Sequence, residues 1–66
     1  MYKCIITPKE DVFMVEFEDP YINTYGRTLK EAITSAKEAL YGVLNKPTKD
    51  PLCGVSFDSA YHLYFG

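Results

Sequence analysis

The chain has 66 residues, which is enough for one domain and too few for a second. Its formal net charge is −2, from seven basic and nine acidic residues, and the absence of any Lys or Arg run argues against direct binding of nucleic acid through phosphates. No apolar run is long enough to span a membrane, and Cys4 and Cys53 fit no metal spacing. We expect a cytoplasmic protein with reduced cysteines and Cys4 in the core, a single disulfide being the alternative.

The apolar fraction of 47% is sufficient for a real core, although a domain of this size buries only about 60% of the surface of its unfolded chain. Six of its ten aromatic residues are tyrosines, which suit half-buried positions in a thin domain or an interface. The mildly acidic balance favours a basic protein as partner.

Three strands are predicted in the first third of the chain. Residues 2–7 are β-branched and aromatic and stop at Pro8, residues 12–18 alternate, and residues 21–25 follow the break at Pro20. Short turns join them, so we expect an antiparallel meander.

The alternation in the second strand predicts which side of the sheet is buried. Phe13, Val15 and Phe17 share one face and are the better core candidates. Val12 and Met14 lie on the other face, which indicates that this second face is partly covered.

A single long helix is predicted from Leu29 to about Asn45. Thr28 is a good N-cap, and Glu31 is expected to reach back to the Thr28 N–H and close a capping box. Gly26 suits a left-handed or tight backbone before the helix. One apolar stripe recurs at steps of three and four residues: Leu29, Ala32, Ile33, Ala36, Leu40, Val43 and Leu44.

The C-terminal part is less regular. Residues 45–54 form the loosest segment, residues 55–59 are ambiguous, and residues 60–65 alternate as a last strand. The predicted fold class is α+β: a two-layer β-β-β-α-β arrangement, with an antiparallel meander and one helix packed on one face. The other face then carries several tyrosines and is a candidate for dimerisation or partner binding.

Several residues of types that often act in catalysis or anion binding occur here without the sequence neighbours that such a site requires. His62, the only histidine, has no nucleophile or carboxylate beside it in sequence, which favours a structural role. The segment from Gly26 to Thr28 resembles an anion site at a helix start but lacks the glycine spacing of a phosphate loop. Serines 35, 56 and 59 lie in no nucleophile-elbow context.

Glu16, Glu18 and Asp19 form a short acidic cluster where the second strand ends. A magnesium site on a sheet needs three or four converging carboxylates, and the chain offers no convincing further member. A solvated face that deters edge pairing is the favoured interpretation. We therefore predict no catalytic, cofactor-binding or metal-binding residue and no enzyme activity.

Two segments of the chain resemble the N-terminal domain of HicB-like antitoxins, over about the first two-thirds of its length. The first segment matches a strand ending in a Glu-Phe-x-Asp pattern, and the second matches a Gly-x-Thr-Leu-x-Glu-Ala start of a helix with Ala-x-x-Ala spacing. The matching residues are Glu16, Phe17, Asp19, Gly26, Thr28, Leu29, Glu31, Ala32, Ala36 and Ala39.

This resemblance implies a partial ribonuclease-H-like fold without nuclease activity, and an antitoxin that binds and inhibits a small basic toxin ribonuclease of the HicA type. Most members carry a C-terminal DNA-binding domain. The present chain ends before one, so we expect a single HicB-like domain over residues 1–66 with no DNA-binding domain.

The expected partners are therefore the toxin and further copies of the chain in a homo-oligomer, with no cofactor, no direct nucleic-acid binding and no membrane. The alternative is an orphan structural or regulatory protein of similar fold that self-associates. Exposure arguments place the partner contacts on the acidic cluster, on two tyrosines of the third strand and on the last strand: Glu16, Glu18, Asp19, Tyr21, Tyr25 and Tyr64.

Overall fold

The computed structural model describes residues 2–46 and 60–66, and the backbone of residues 52–55. In chain order, these residues form β1 (Tyr2–Pro8), β2 (Phe13–Glu18), β3 (Tyr21–Gly26), α1 (Leu29–Leu44), β4 (Leu52–Val55) and β5 (Tyr61–Phe65). The turn between β2 and β3 contains a cis peptide bond at Asp19–Pro20.

The described strands form one antiparallel sheet in the order β3-β2-β1-β5-β4. The first three strands are a meander, and α1 packs on one face, so the predicted α+β two-layer class is confirmed. Strand β4 falls in the segment for which the sequence predicted mainly loop. Its four residues include Gly54 and form a strand by pairing with β5. Such pairing between separate segments cannot be seen in local sequence patterns. Residues 56–59, also ambiguous in sequence, lie outside the described part.

The core lies between α1 and the sheet. Val15 and Phe17 are fully buried, as the alternation predicted, whereas Phe13 is half-buried at the margin. The rings of Phe17 and Phe65 are 5.7 Å apart between centroids, with an interplanar angle of 43°, a favourable tilted arrangement. The other fully buried core residues include Cys4, Ile6, Ala32, Ala36, Leu40 and Leu63.

The predicted capping of α1 is right about Thr28 and wrong about one hydrogen bond. The Glu31 N–H donates to Thr28 Oγ1 at 3.1 Å, but Glu31 Oε1 accepts from the Arg27 N–H at 3.3 Å rather than from Thr28. The helix ends at Leu44, and Asn45 adopts a left-handed conformation (φ 58°) as the C-cap.

Two details of the predicted helix packing are corrected. Of the two conformations expected for Gly26, the left-handed one is wrong, because Gly26 has no positive φ. It is buried where β3 passes under α1, and an added Cβ would lie 2.3 Å from the Ala32 nitrogen. Val43 is 54% exposed, because Leu44 is the residue of the last turn that packs against the core. The apolar stripe therefore extends to Leu44 as predicted but does not include Val43.

Candidate partner-binding face

The sheet has a second face, turned away from α1, which we call the open face. Since side chains alternate along a strand, the residues between the core positions of each strand point to this side. Among the described elements, α1 is the only helix, and it packs on the opposite side. The open face carries Lys3, Ile5, Met14, Glu16, Glu18, Tyr21, Asn23, Tyr25, His62 and Tyr64.

The strand register places acidic and aromatic side chains next to one another on this face. Glu18 is opposite Tyr21, and Met14 is opposite Tyr25. Glu16 lies between Asn23 on one side and a half-buried isoleucine of β1 on the other. The acidic cluster and the tyrosines of β3 therefore form one continuous surface.

A shallow depression of about 310 Å³ lies at this end of the open face. It is lined by Lys3, Ile5, Glu16, Glu18 and Asp19, all of them exposed except Ile5. Three carboxylates against one ammonium group give the depression a negative charge, which attracts a cationic partner surface.

The tyrosines expose large amphipathic rings. Tyr21 is 72% exposed and Tyr25 is 56% exposed, and the Asn23 side-chain amide donates to the Tyr21 hydroxyl at 3.4 Å. Tyr64 is 37% exposed and belongs to β5, where it is opposite Lys3. Aromatic side chains of this kind, apolar in the ring and polar at the tip, are enriched at protein interfaces.

All six residues predicted as partner contacts thus lie on the open face or in the adjoining turn. The prediction omitted Lys3 and Ile5, which line the depression. Part of the signal was present in the sequence: once Cys4 and Ile6 are assigned to the core, Lys3 and Ile5 must face the other way. Their position beside Glu16 and Glu18 follows only from the strand order.

Cys4 and His62 are two described residues whose side chains could take part in a reaction or hold a metal ion. Burial raises the pKa of the Cys4 thiol to about 12, despite the opposing effect of a hydrogen bond with the Glu16 backbone. The thiol is therefore protonated at neutral pH and is a poor nucleophile. His62 is half-buried on β5 opposite Ile5. Across residues 2–46 and 60–66, no three His, Cys, Asp or Glu side chains are grouped so as to hold a metal ion.

The backbone register also separates the two cysteines. Cys4 and Cys53 are both paired with Leu63, so β5 lies between them. Two strand spacings put their Cα atoms about 9.5 Å apart, whereas a disulfide requires less than about 7 Å. The alternative of an intrachain disulfide is therefore wrong for this sheet.

In the described ranges, no helix combines the length and the apolar content that crossing a membrane requires. Comparisons with family models, curated proteins and solved structures gave no match to this chain.

Proposed function

We propose that this chain is a non-enzymatic, cytoplasmic antitoxin of the HicB-like type, which binds a HicA-type toxin ribonuclease through the open face and inhibits it. The observation that carries the proposal is the group of exposed carboxylates and tyrosines on that face. The sequence resemblance supports the same role, because Glu16 and Asp19 belong both to the matching pattern and to this surface.

The charge of the open face suits such a partner. A ribonuclease that holds RNA by its phosphates needs a cationic surface. Glu16, Glu18 and Asp19 offer that surface an anionic counterpart, and binding there would cover the groups that the toxin uses on RNA. The same charge explains why we expect no direct nucleic-acid binding by this chain.

The tyrosines would supply most of the contact energy. Rigid aromatic side chains near the centre of an interface are typical hot spots, and charged pairs at its rim mainly affect the association rate and specificity. Tyr21 lies opposite Glu18, Tyr25 lies opposite Met14 towards the other end of β3, and Tyr64 lies opposite Lys3. We propose these three side chains as the anchors.

The test is affinity capture of the tagged chain from its host, followed by an RNA-cleavage assay with the captured protein. We expect a small basic protein whose RNA cleavage stops when the chain is added. A Glu16→Lys/Glu18→Lys variant should bind it about 100-fold more weakly, because like charges then meet in the interface. A Glu10→Lys/Glu38→Lys variant has the same net charge, changes exposed residues of a turn and of α1, and should bind normally.

Equal inhibition by the two variants would show that the acidic cluster is not the binding site. Recovery of the chain alone, as a stable homo-oligomer, would instead favour the second candidate, an orphan structural or regulatory protein that self-associates. The observation that favours this second candidate is the exposure of Tyr21 and Tyr25 on a strand at the edge of the sheet.

A further inference from the structure

Strand β3 is an edge strand whose own sequence carries none of the residues that usually protect a sheet edge. In the described sheet it pairs with β2 alone, through six consecutive residue pairs without a bulge. The strand contains neither a charged residue nor a proline. Natural edge strands are usually blunted by one of these features, since an unprotected edge is a template for another strand.

The sequence of β3 is nearly symmetric about Asn23. Tyr21 and Tyr25 are equidistant from it, as are the β-branched residues Ile22 and Thr24. A strand with this symmetry presents like residues to itself when it meets a second copy in antiparallel orientation. Tyrosine then faces tyrosine, and one β-branched residue faces another, which are favourable cross-strand pairs.

We propose that two copies of this chain pair through their β3 edges, antiparallel and about a twofold axis at Asn23. The two described sheets then join into one, and the unpaired backbone groups of both edges become hydrogen-bonded. Tyr21 of each copy lies opposite Tyr25 of the other on the open face.

The residues that flank β3 agree with the same register. Asp19 and Arg27 are each four residues from Asn23, and both are exposed. The twofold axis therefore brings Asp19 of one copy to the level of Arg27 of the other, at both ends of the paired strands. A shift of the register by two residues in either direction separates these opposite charges and places a tyrosine opposite Asn23. The Asn23-centred register is thus the one that both the charges and the tyrosines select.

This interface shares Asp19, Tyr21 and Tyr25 with the surface proposed for the toxin, but it leaves the rest of that surface uncovered. Glu16 and Glu18 lie on β2, away from the β3 edge, and remain available on the open face of each copy. Dimerisation would double that face without covering the acidic depression. The dimer is measured on the chain alone, so a failure of the proposed toxin binding does not decide the outcome of that measurement.

The test is the mass in solution, measured by sedimentation equilibrium over a dilution series. The mass of the parent chain should rise from 7.5 kDa towards twice that value. Asn23→Lys places two ammonium groups opposite each other at the axis and should weaken dimerisation about fivefold, while the new lysine lies opposite Glu16 within its own sheet. His62→Lys adds a lysine to the same face on β5, which β2 and β1 separate from β3, and should leave the dimer unchanged.

A charge exchange tests the register itself. Asp19→Arg and Arg27→Asp should each weaken the dimer about tenfold by bringing like charges together, and the double variant should restore it. Circular dichroism checks that each variant remains folded. A parent chain that stays monomeric at every concentration would overturn the proposal. So would a dimer that is indifferent to both the Asn23→Lys change and the charge exchange, since it would use another surface.

Discussion

The close contact between β3 and α1 depends on the missing side chain at Gly26. An added Cβ would lie 2.3 Å from the Ala32 nitrogen and 2.6 Å from the Glu31 carbonyl carbon, and both are backbone atoms of the helix start. Because backbone cannot rotate away as a long side chain can, we expect Gly26→Ala to lower the free energy of unfolding by about 3 kcal/mol. Urea denaturation followed by circular dichroism measures this loss.

Gly42 is the matched control for that prediction. It lies in α1, and an added Cβ would meet no atom within 4 Å. We expect Gly42→Ala to raise the free energy of unfolding by about 0.5–1 kcal/mol through helix propensity alone. If the two variants changed stability in the same direction, the close approach at Gly26 would not be the constraint that the geometry indicates.

The sequence showed that Gly26 matters but not why. A glycine before a helix is most often needed for its backbone freedom, and the contact that matters here joins two elements. Local patterns carry no information on such a distance, whereas they do carry the alternation that placed Val15 and Phe17 in the core. The residues of a face are therefore predictable, and the tightness of its packing is not.

At the scale of the element, α1 starts with two side chain-to-backbone hydrogen bonds. Thr28 Oγ1 accepts the Glu31 N–H, and the Glu31 carboxylate accepts the Arg27 N–H. We expect Thr28→Ala to reduce the free energy of unfolding by about 1 kcal/mol, because the first turn then loses its cap. Thr34→Ala, at an exposed position inside the same helix, should be neutral or slightly stabilising. A comparison of the two melting temperatures measures the cap, and equal values would argue against it.

The elements themselves were largely predictable, because β1, β2, β3, α1 and β5 each have a clear period and clear stop signals. Strand β4 has neither a clear period nor clear stop signals, because Gly54 interrupts its four residues. It forms a strand by pairing with β5. The open face was likewise predictable from local patterns only in part. Period-two alternation collects Glu16, Glu18 and Tyr21 on one face, but the addition of Lys3 to that surface required the order of the strands.

At the scale of the whole molecule, the last described strand, β5, lies inside the sheet and not at its edge. Strand β5 lies between β1 and β4, so residues near the C-terminal end pair with Tyr2–Pro8 at the other end of the sequence. Contacts between distant parts of a chain are costly in loop entropy and form only when the packing compensates. The stability of this small domain therefore depends on what β5 contributes to the core.

Phe65 is the largest part of that contribution, and it gives the last prediction. A domain of this length has a free energy of unfolding of about 3–10 kcal/mol, and truncating a buried phenylalanine to alanine costs about 3–5 kcal/mol. Phe65 is fully buried against Phe17, so Phe65→Ala should remove a large share of that stability, measured as a fall in the melting temperature followed by circular dichroism. Tyr64→Ala, on the same strand but facing the open side, should cost about 0.5 kcal/mol or less. If the Phe65 variant melted cooperatively at nearly the same temperature as the Tyr64 variant, the core would not depend on β5. The large expected difference in stability between the two variants arises only if the core spans β1, β2 and β5.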